Sequence, residues 1–205
     1  MVNQRGVTGV VLAGGRSRRL GRDKRLEPFD GQPLLARVMA RLGRVCDELV
    51  AVVADASDDR GLPMAPGARV TADLYPGKGS LGGIYSGLAA ASNTWALVVA
   101  CDMPFLNIPL IEHMLSLRAG HDVVVPVVDG RPEPTHAVYS KVCEPAIRHR
   151  LERDELKIIG FFDDVRVRYV PEEEVRRFDP DLLTFFNINT QADLERALAL
   201  AREGR

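Results

Sequence analysis

Short apolar runs alternate with amphipathic stretches along the whole chain. Residues 7–13, 49–54, 69–72, 95–100, 122–128, 137–140 and 165–170 read as strands, and residues 33–43, 81–92, 108–119, 143–152 and 192–203 as helices. Runs such as V-A-V-V-A (50–54) and W-A-L-V-V-A (95–100) are apolar on both faces, as in strands covered by helices above and below. The pattern predicts an α/β protein with three layers, helices on each side of a mainly parallel sheet. Thr190 with Asp193 three positions later forms a capping box that should open the last helix. The stretch 55–67, rich in Asp, Pro and Gly, reads as a surface loop, so one domain is expected over residues 1–205.

Composition adds mainly exclusions. With 205 residues, 46% of them hydrophobic and 27% charged, the chain can bury a continuous core. Its longest apolar run, 95–101, is far from the ~20 residues of a membrane span. No signal-peptide core follows Met1, and the formal net charge is only −1. Neither a membrane nor a nucleic acid is expected as a partner. Cys46, Cys101 and Cys143 are odd in number and widely spaced, which speaks against a disulfide framework and for a reducing cytoplasm. The four histidines lack metal-ligand spacing.

The chemistry is concentrated after the first strand. Gly14, Gly15 and Gly21 allow tight turns and close backbone approach to an anion, while Arg16, Arg18, Arg19, Arg22, Lys24 and Arg25 place six cations within ten positions. Only Asp23 opposes them. In so nearly neutral a chain, that concentration points to phosphate binding rather than to solubility. Ligands of open α/β sheets bind beyond the carboxyl ends of the strands, and three further strand ends carry polar residues: Asp73, Asp102 and the Asn187-Ile188-Asn189 segment. A carboxylate among phosphates would repel them unless a divalent cation lay between, so Asp102 reads as a Mg2+ ligand. A competing motif, Gly77-Lys-Gly-Ser-Leu-Gly82, fits the dinucleotide fingerprint. It stands four residues beyond the nearest strand and leaves the basic loop unexplained. The same segment lacks the first glycine of a P-loop, since Asp73 occupies that position.

The run Leu12-Ala-Gly-Gly-Arg-Ser-Arg-Arg-Leu-Gly-Arg-Asp-Lys24 resembles the signature loop of nucleotidyltransferases. Together with Gly31-Gln-Pro-Leu-Leu, Gly79-Ser-Leu-Gly-Gly, Cys101-Asp-Met-Pro, Pro134-Thr-His-Ala-Val-Tyr and Phe186-Asn-Ile-Asn-Thr, it most closely resembles the molybdenum cofactor guanylyltransferases of the MobA family. The resemblance implies a Rossmann-like three-layer fold and transfer of GMP from GTP to the terminal phosphate of molybdopterin, with Mg2+ as cofactor and pyrophosphate released. It places Leu12, Ala13 and Gly14 against the guanine and ribose, and wraps Gly15, Arg16, Ser17 and Arg19 around the triphosphate. Lys24 would neutralise phosphate charge, Asp73 would contact the nucleoside, Asp102 would hold Mg2+, and Asn189 is a second candidate ligand. Pro134, Thr135 and His136 would face the pterin, and transient contacts with proteins that deliver or receive the cofactor are implied.

Two departures stand out. Leu20 replaces the usual methionine, and Ala54-Asp55 occupies a place where the family can present an asparagine. Gly14 is alanine in the related cytidylyl enzymes, and its missing methyl leaves room for a purine. A cytidylyltransferase, a sugar-phosphate nucleotidyltransferase and a non-catalytic nucleotide sensor are the competing readings.

Overall fold

The computed structural model describes residues 6–14, 23–59 and 61–203. In chain order the elements are β1 (Val7–Leu12), β2 (Pro28–Phe29), β3 (Gln32–Pro33), α1 (Leu34–Leu42), β4 (Glu48–Val53), β5 (Arg69–Ala72), α2 (Gly79–Ala90) and β6 (Trp95–Ala100). They continue with α3 (Ile108–Ser116), β7 (Val123–Val128), β8 (Arg131–Pro132), β9 (His136–Ser140), α4 (Glu144–Glu152), β10 (Val167–Val170), α5 (Glu172–Val175) and α6 (Gln191–Arg202).

Seven of the strands run β10-β7-β9-β6-β1-β4-β5 across one sheet, with β8 paired to β7. β1 lies between β4 and β6 and is parallel to both. Successive β1 side chains enter opposite cores. Val7 and Val11 pack with Leu35, Val38, Met39 and Leu42 of α1 and with α3, whereas Val10 packs with Leu81, Ile84 and Leu88 of α2 and with Ile147 and Leu151 of α4. The strands are therefore apolar on both faces because both faces are covered, as the sequence predicts. A third cluster joins Phe29 and Leu34 to Phe105, Ile188 and Leu194, and so seats α6 against the β2–β3 hairpin and the loop after β6.

β9 runs antiparallel to both neighbours. The cause is local: Asp129 and Gly130, at φ 49° and 71°, make a two-residue turn that pairs Val128 with Arg131 and reverses the chain before β9 begins. Asp30-Gly31 does the same between β2 and β3, at φ 50° and 80°. Neither hairpin is predicted from the hydrophobic pattern.

Other boundaries shift modestly. α2 starts at Gly79 and α3 ends at Ser116, while β10 begins at Val167 because Arg166 is drawn to Asp122, donating to its carboxylate from the backbone N, Nε and Nη2. The Thr190–Asp193 capping box is present in both directions. α2 lies unusually close to β1. A Cβ added at Gly87 would stand 2.4 Å from Val10 Cγ1, so only glycine permits this approach. The gain is positional: the helix points its N-terminus at the space beyond the ends of β1 and β6.

Candidate active site

A cavity of about 370 Å³ opens at the carboxyl ends of the central strands. Its wall includes Leu12 and Gly14 after β1, Ala54 after β4, Asp73 after β5, Cys101 and Asp102 after β6, and Lys24 and Thr135 from the flanking loops. Three of the strand ends singled out in the sequence, those after β1, β5 and β6, meet at this cavity, whereas the Asn187-Ile188-Asn189 segment follows a 3-10 turn (residues 183–185) instead of a strand and joins the site through Asn189.

Lys24 reaches the site from a 3-10 turn, residues 24–26. Asp23 caps this turn by accepting from Arg25 N (2.9 Å) and also pairs with the Arg25 guanidinium (2.6 Å). That guanidinium holds the Asp23 carboxyl below its usual range. Arg25 therefore spends charge on its neighbour, while Lys24 turns to the cavity. The Lys24 Nζ donates to Asp102 Oδ2 at 3.1 Å and to Asn189 Oδ1 at 2.7 Å. Residues separated by as many as 165 positions are joined by one ammonium.

Asp102 is held by its surroundings. Cys101 N donates to Leu12 O (3.2 Å) and Ile188 N donates to Asp102 O (3.0 Å), which ties the loop to β1 on one side and to the segment bearing Asn189 on the other. On α1, Arg37 Nε donates to Pro104 O and Arg41 Nη1 to Leu106 O, each at 2.9 Å. The remaining carboxylate oxygen, Asp102 Oδ1, is buried and has no hydrogen-bond partner among the described residues. Leaving a buried anionic oxygen unpaired costs at least about 1–3 kcal/mol. A cation would relieve that cost, and the available donors, a carboxylate and an amide oxygen, suit a hard divalent ion. Among the described residues no group of three His, Cys, Asp or Glu is placed to hold a metal. The Asp102 carboxylate and Asn189 amide oxygen, brought together on one ammonium, fit Mg2+, which binds through one or two carboxylates and completes its shell with phosphate oxygens and water. The Cys101 thiol is packed into the α1-side core, and burial pushes its pKa up to about 12.

Asp73 serves the chain as well as the cavity. Its Oδ1 accepts from Tyr75 N (3.0 Å) and Ser86 Oγ (2.8 Å), and Gly82 makes room for it, because a Cβ there would lie 3.1 Å from Oδ2. The neighbouring Gly77, Gly79 and Ser80 also line the cavity, at an α2 N-terminus without a side-chain cap. The resemblance wraps the triphosphate in the first glycine loop alone; the Gly77-Lys-Gly-Ser80 run is the sequence signal for this second wall. Its lysine faces away, with Lys78 Nζ paired to Asp154 at 2.7 Å.

Three expectations change. Ala13 is buried in the α1-side core, where its N–H donates to Val52 O, and it does not line the cavity. A methyl at Gly14 would meet Ala54 N at 3.0 Å, which means that this position spaces β1 from the end of β4 as well as shaping the cavity. His136 is fully buried and does not join Thr135 on the wall. It shares its face of β9 with Val138, and its ring meets Phe185 edge-on with centroids 5.3 Å apart. Pro134 turns its carbonyl to Tyr139 OH, which donates at 2.6 Å. Of the Ala54-Asp55 pair, Ala54 lines the cavity and Asp55 accepts from Ser57 N and Oγ. Gly15, Arg16, Ser17 and Arg19 lie outside the described residues.

The His136 ring predicts a pH effect on stability. Neither nitrogen has a partner among the described residues, and burial lowers its pKa from 6.5 to about 4. The unfolded chain binds a proton near 6.5 and the folded one does not, so stability is lost as the pH falls through that window, by up to about 3 kcal/mol. In urea titrations at pH 7 and pH 4.5, His136→Leu should lose markedly less stability on acidification than the natural protein. Equal losses would show that this ring is not the titrating group.

The model of the MobA-like NTP transferase domain matches residues 9–165. A probable molybdenum cofactor guanylyltransferase of Pelotomaculum thermopropionicum is 40% identical over 198 residues, covering 97% of this chain and 95% of the relative. The molybdenum cofactor guanylyltransferase of Desulfosudis oleivorans is 39% identical over 201 residues, covering 97% and 98%. The crystal structure of molybdopterin-guanine dinucleotide biosynthesis protein A from Archaeoglobus fulgidus superposes with a TM-score of 0.84 at 31% identity, over 96% of this chain and 99% of that one.

Proposed function

Since the chain belongs to the MobA-like NTP transferase family, we propose that it transfers GMP from GTP to the terminal phosphate of molybdopterin, releasing pyrophosphate in the formation of molybdopterin guanine dinucleotide. The observation that carries the reading at residue level is the convergence of Lys24, Asp102 and Asn189 at a cavity walled by the first strand's glycine end.

Chemically, a terminal phosphate oxygen of molybdopterin attacks the α-phosphorus of GTP in line, one P–O bond forms, and the bond to the β-phosphate breaks. No group of the chain is covalently involved, in keeping with a buried, protonated Cys101 thiol. What the residues supply is position and charge. Asp102 and Asn189 are proposed to hold Mg2+, which when bound would neutralise charge on the reacting phosphates. Lys24 would bind a phosphate oxygen, as would Arg16, Ser17 and Arg19 with the backbone of Gly14 and Gly15. Leu12 would support the base, and Asp73 would meet the nucleoside through whichever lone pairs Tyr75 and Ser86 leave open. Thr135, which lines the cavity, is proposed in place of His136 to border the acceptor side. Among the described residues no helix is long and apolar enough to cross a membrane. The proposed setting is the cytoplasm, with transient contact to proteins that deliver or receive the cofactor.

The test is pyrophosphate release in the presence of molybdopterin, Mg2+ and each of the four NTPs in turn. Release with GTP well above CTP is expected. Release with CTP alone would identify a cytidylyl enzyme, and GTP binding without release would identify a nucleotide sensor.

A further inference from the structure

The Lys24 ammonium stands between the two side-chain oxygens assigned to the divalent cation, 3.1 Å from Asp102 Oδ2 and 2.7 Å from Asn189 Oδ1. An ammonium that donates to an oxygen and a metal ion ligated by it draw on the same lone pairs, and two cations on one carboxylate repel one another. Lys24 and Asp102 are shielded, with side chains 12% and 17% exposed, so water screens that repulsion only in part. We propose that Lys24 stands in for the divalent cation in the nucleotide-free protein, and that the cation enters together with the nucleotide rather than ahead of it.

The chain around Lys24 is built for such an exchange. Its turn is fixed by Asp23 and Arg25, while its own four-carbon stem can swing the ammonium from one oxygen to another. Lys24 lines the same cavity as Gly14, Gly77, Gly79 and Ser80, so a triphosphate bound in that cavity lies within its reach. While Lys24 remains on Asp102, the carboxylate is neutralised and does not repel the incoming anion. When phosphate oxygens draw the ammonium away, Oδ2 is released beside Oδ1, which has no partner among the described residues. Both oxygens then face a cation whose charge the phosphates balance. Metal affinity is thereby coupled to nucleotide binding, and the coupling is reciprocal.

The inference rests on the nucleotide site proposed above, and the test separates the two. Mn2+ serves as the probe, titrated by electron paramagnetic resonance into the full chain with and without α,β-methylene-GTP, which cannot transfer its nucleotidyl group. Lys24→Met and Lys24→Gln are compared with Lys78→Met, a loss of the same charge beside the cavity at a lysine that faces Asp154 instead. Without nucleotide, the natural protein is expected to bind Mn2+ weakly and both Lys24 variants roughly tenfold or more tightly, the scale of a lost charge-assisted hydrogen bond. Lys78→Met should move affinity far less. With saturating analogue, the natural protein should bind Mn2+ tightly and the gap to the variants should close. Equal shifts in the Lys24 and Lys78 variants would reduce the effect to bulk charge and overturn the exchange, leaving the nucleotide site intact. Absence of Mn2+ binding even with the analogue would overturn the site assignment and the exchange with it.

Discussion

Asp102→Ala is expected to lower turnover by about 10²-fold or more at saturating GTP, the scale on which loss of one electrostatic stabiliser is felt in an active site. The carboxylate accepts from Lys24 with one oxygen and keeps the other buried without a partner among the described residues, an arrangement with no evident benefit to folding. What anchors the loop is the backbone: Ile188 N on the Asp102 carbonyl, and the Arg37 and Arg41 guanidinium groups on Pro104 O and Leu106 O. The substitution leaves all three in place. A thermal melt near that of the natural protein, together with a collapse of kcat, is therefore the expected signature. Asp102→Asn should be nearly as inactive, since it keeps the shape and loses the charge. Near-normal turnover in either variant would remove Asp102 from the mechanism.

Lys24→Ala is expected to weaken binding of α,β-methylene-GTP, measured by calorimetry in the presence of Mg2+. A charge-assisted hydrogen bond contributes roughly 1.5–3 kcal/mol, or about ten- to 150-fold in Kd. The lower end is expected here, because in the free protein the ammonium already bonds Asp102 and Asn189 and must give up those contacts to reach a phosphate. An unchanged Kd would show that Lys24 never meets the triphosphate.

Much of this architecture can be read along the chain. The strands ending at Leu12 and Ala100 announce themselves as runs of apolar residues, and the polar residues just past them meet because parallel strands present their carboxyl ends on one side of the sheet. Thr190 and Asp193 mark the start of α6 because a capping box is a local hydrogen-bond pattern. The two Asp-Gly hairpins escape for a geometric reason. Asp30-Gly31 joins two strands of two residues each and Asp129-Gly130 leads into β8, also of two residues, too short for periodicity to register, although the Asp-Gly pairs are themselves turn signals. Phase is also hidden. β9 is buried on both faces, so nothing in H-A-V-Y-S tells which residues look toward the cavity, and His136 proves to look inward. Lys24 and Asn189 are distant in sequence, and their meeting depends on how Phe29, Phe105 and Ile188 pack α6 and its preceding loop against the β2–β3 hairpin. Gly87 likewise reads as an ordinary helix-weakening residue until the proximity of Val10 explains it.

The central claim is that the nucleotide's phosphates and their cation sit at Asp102, between the glycine end of β1 and the segment carrying Asn189. Anomalous scattering from Mn2+ in crystals grown with α,β-methylene-GTP measures this directly. A manganese peak bonded to an Asp102 carboxylate oxygen and to a phosphate oxygen, with the Lys24 ammonium moved onto the triphosphate, is the predicted result. A cation bound away from Asp102, or a nucleotide lying outside this cavity, would contradict it.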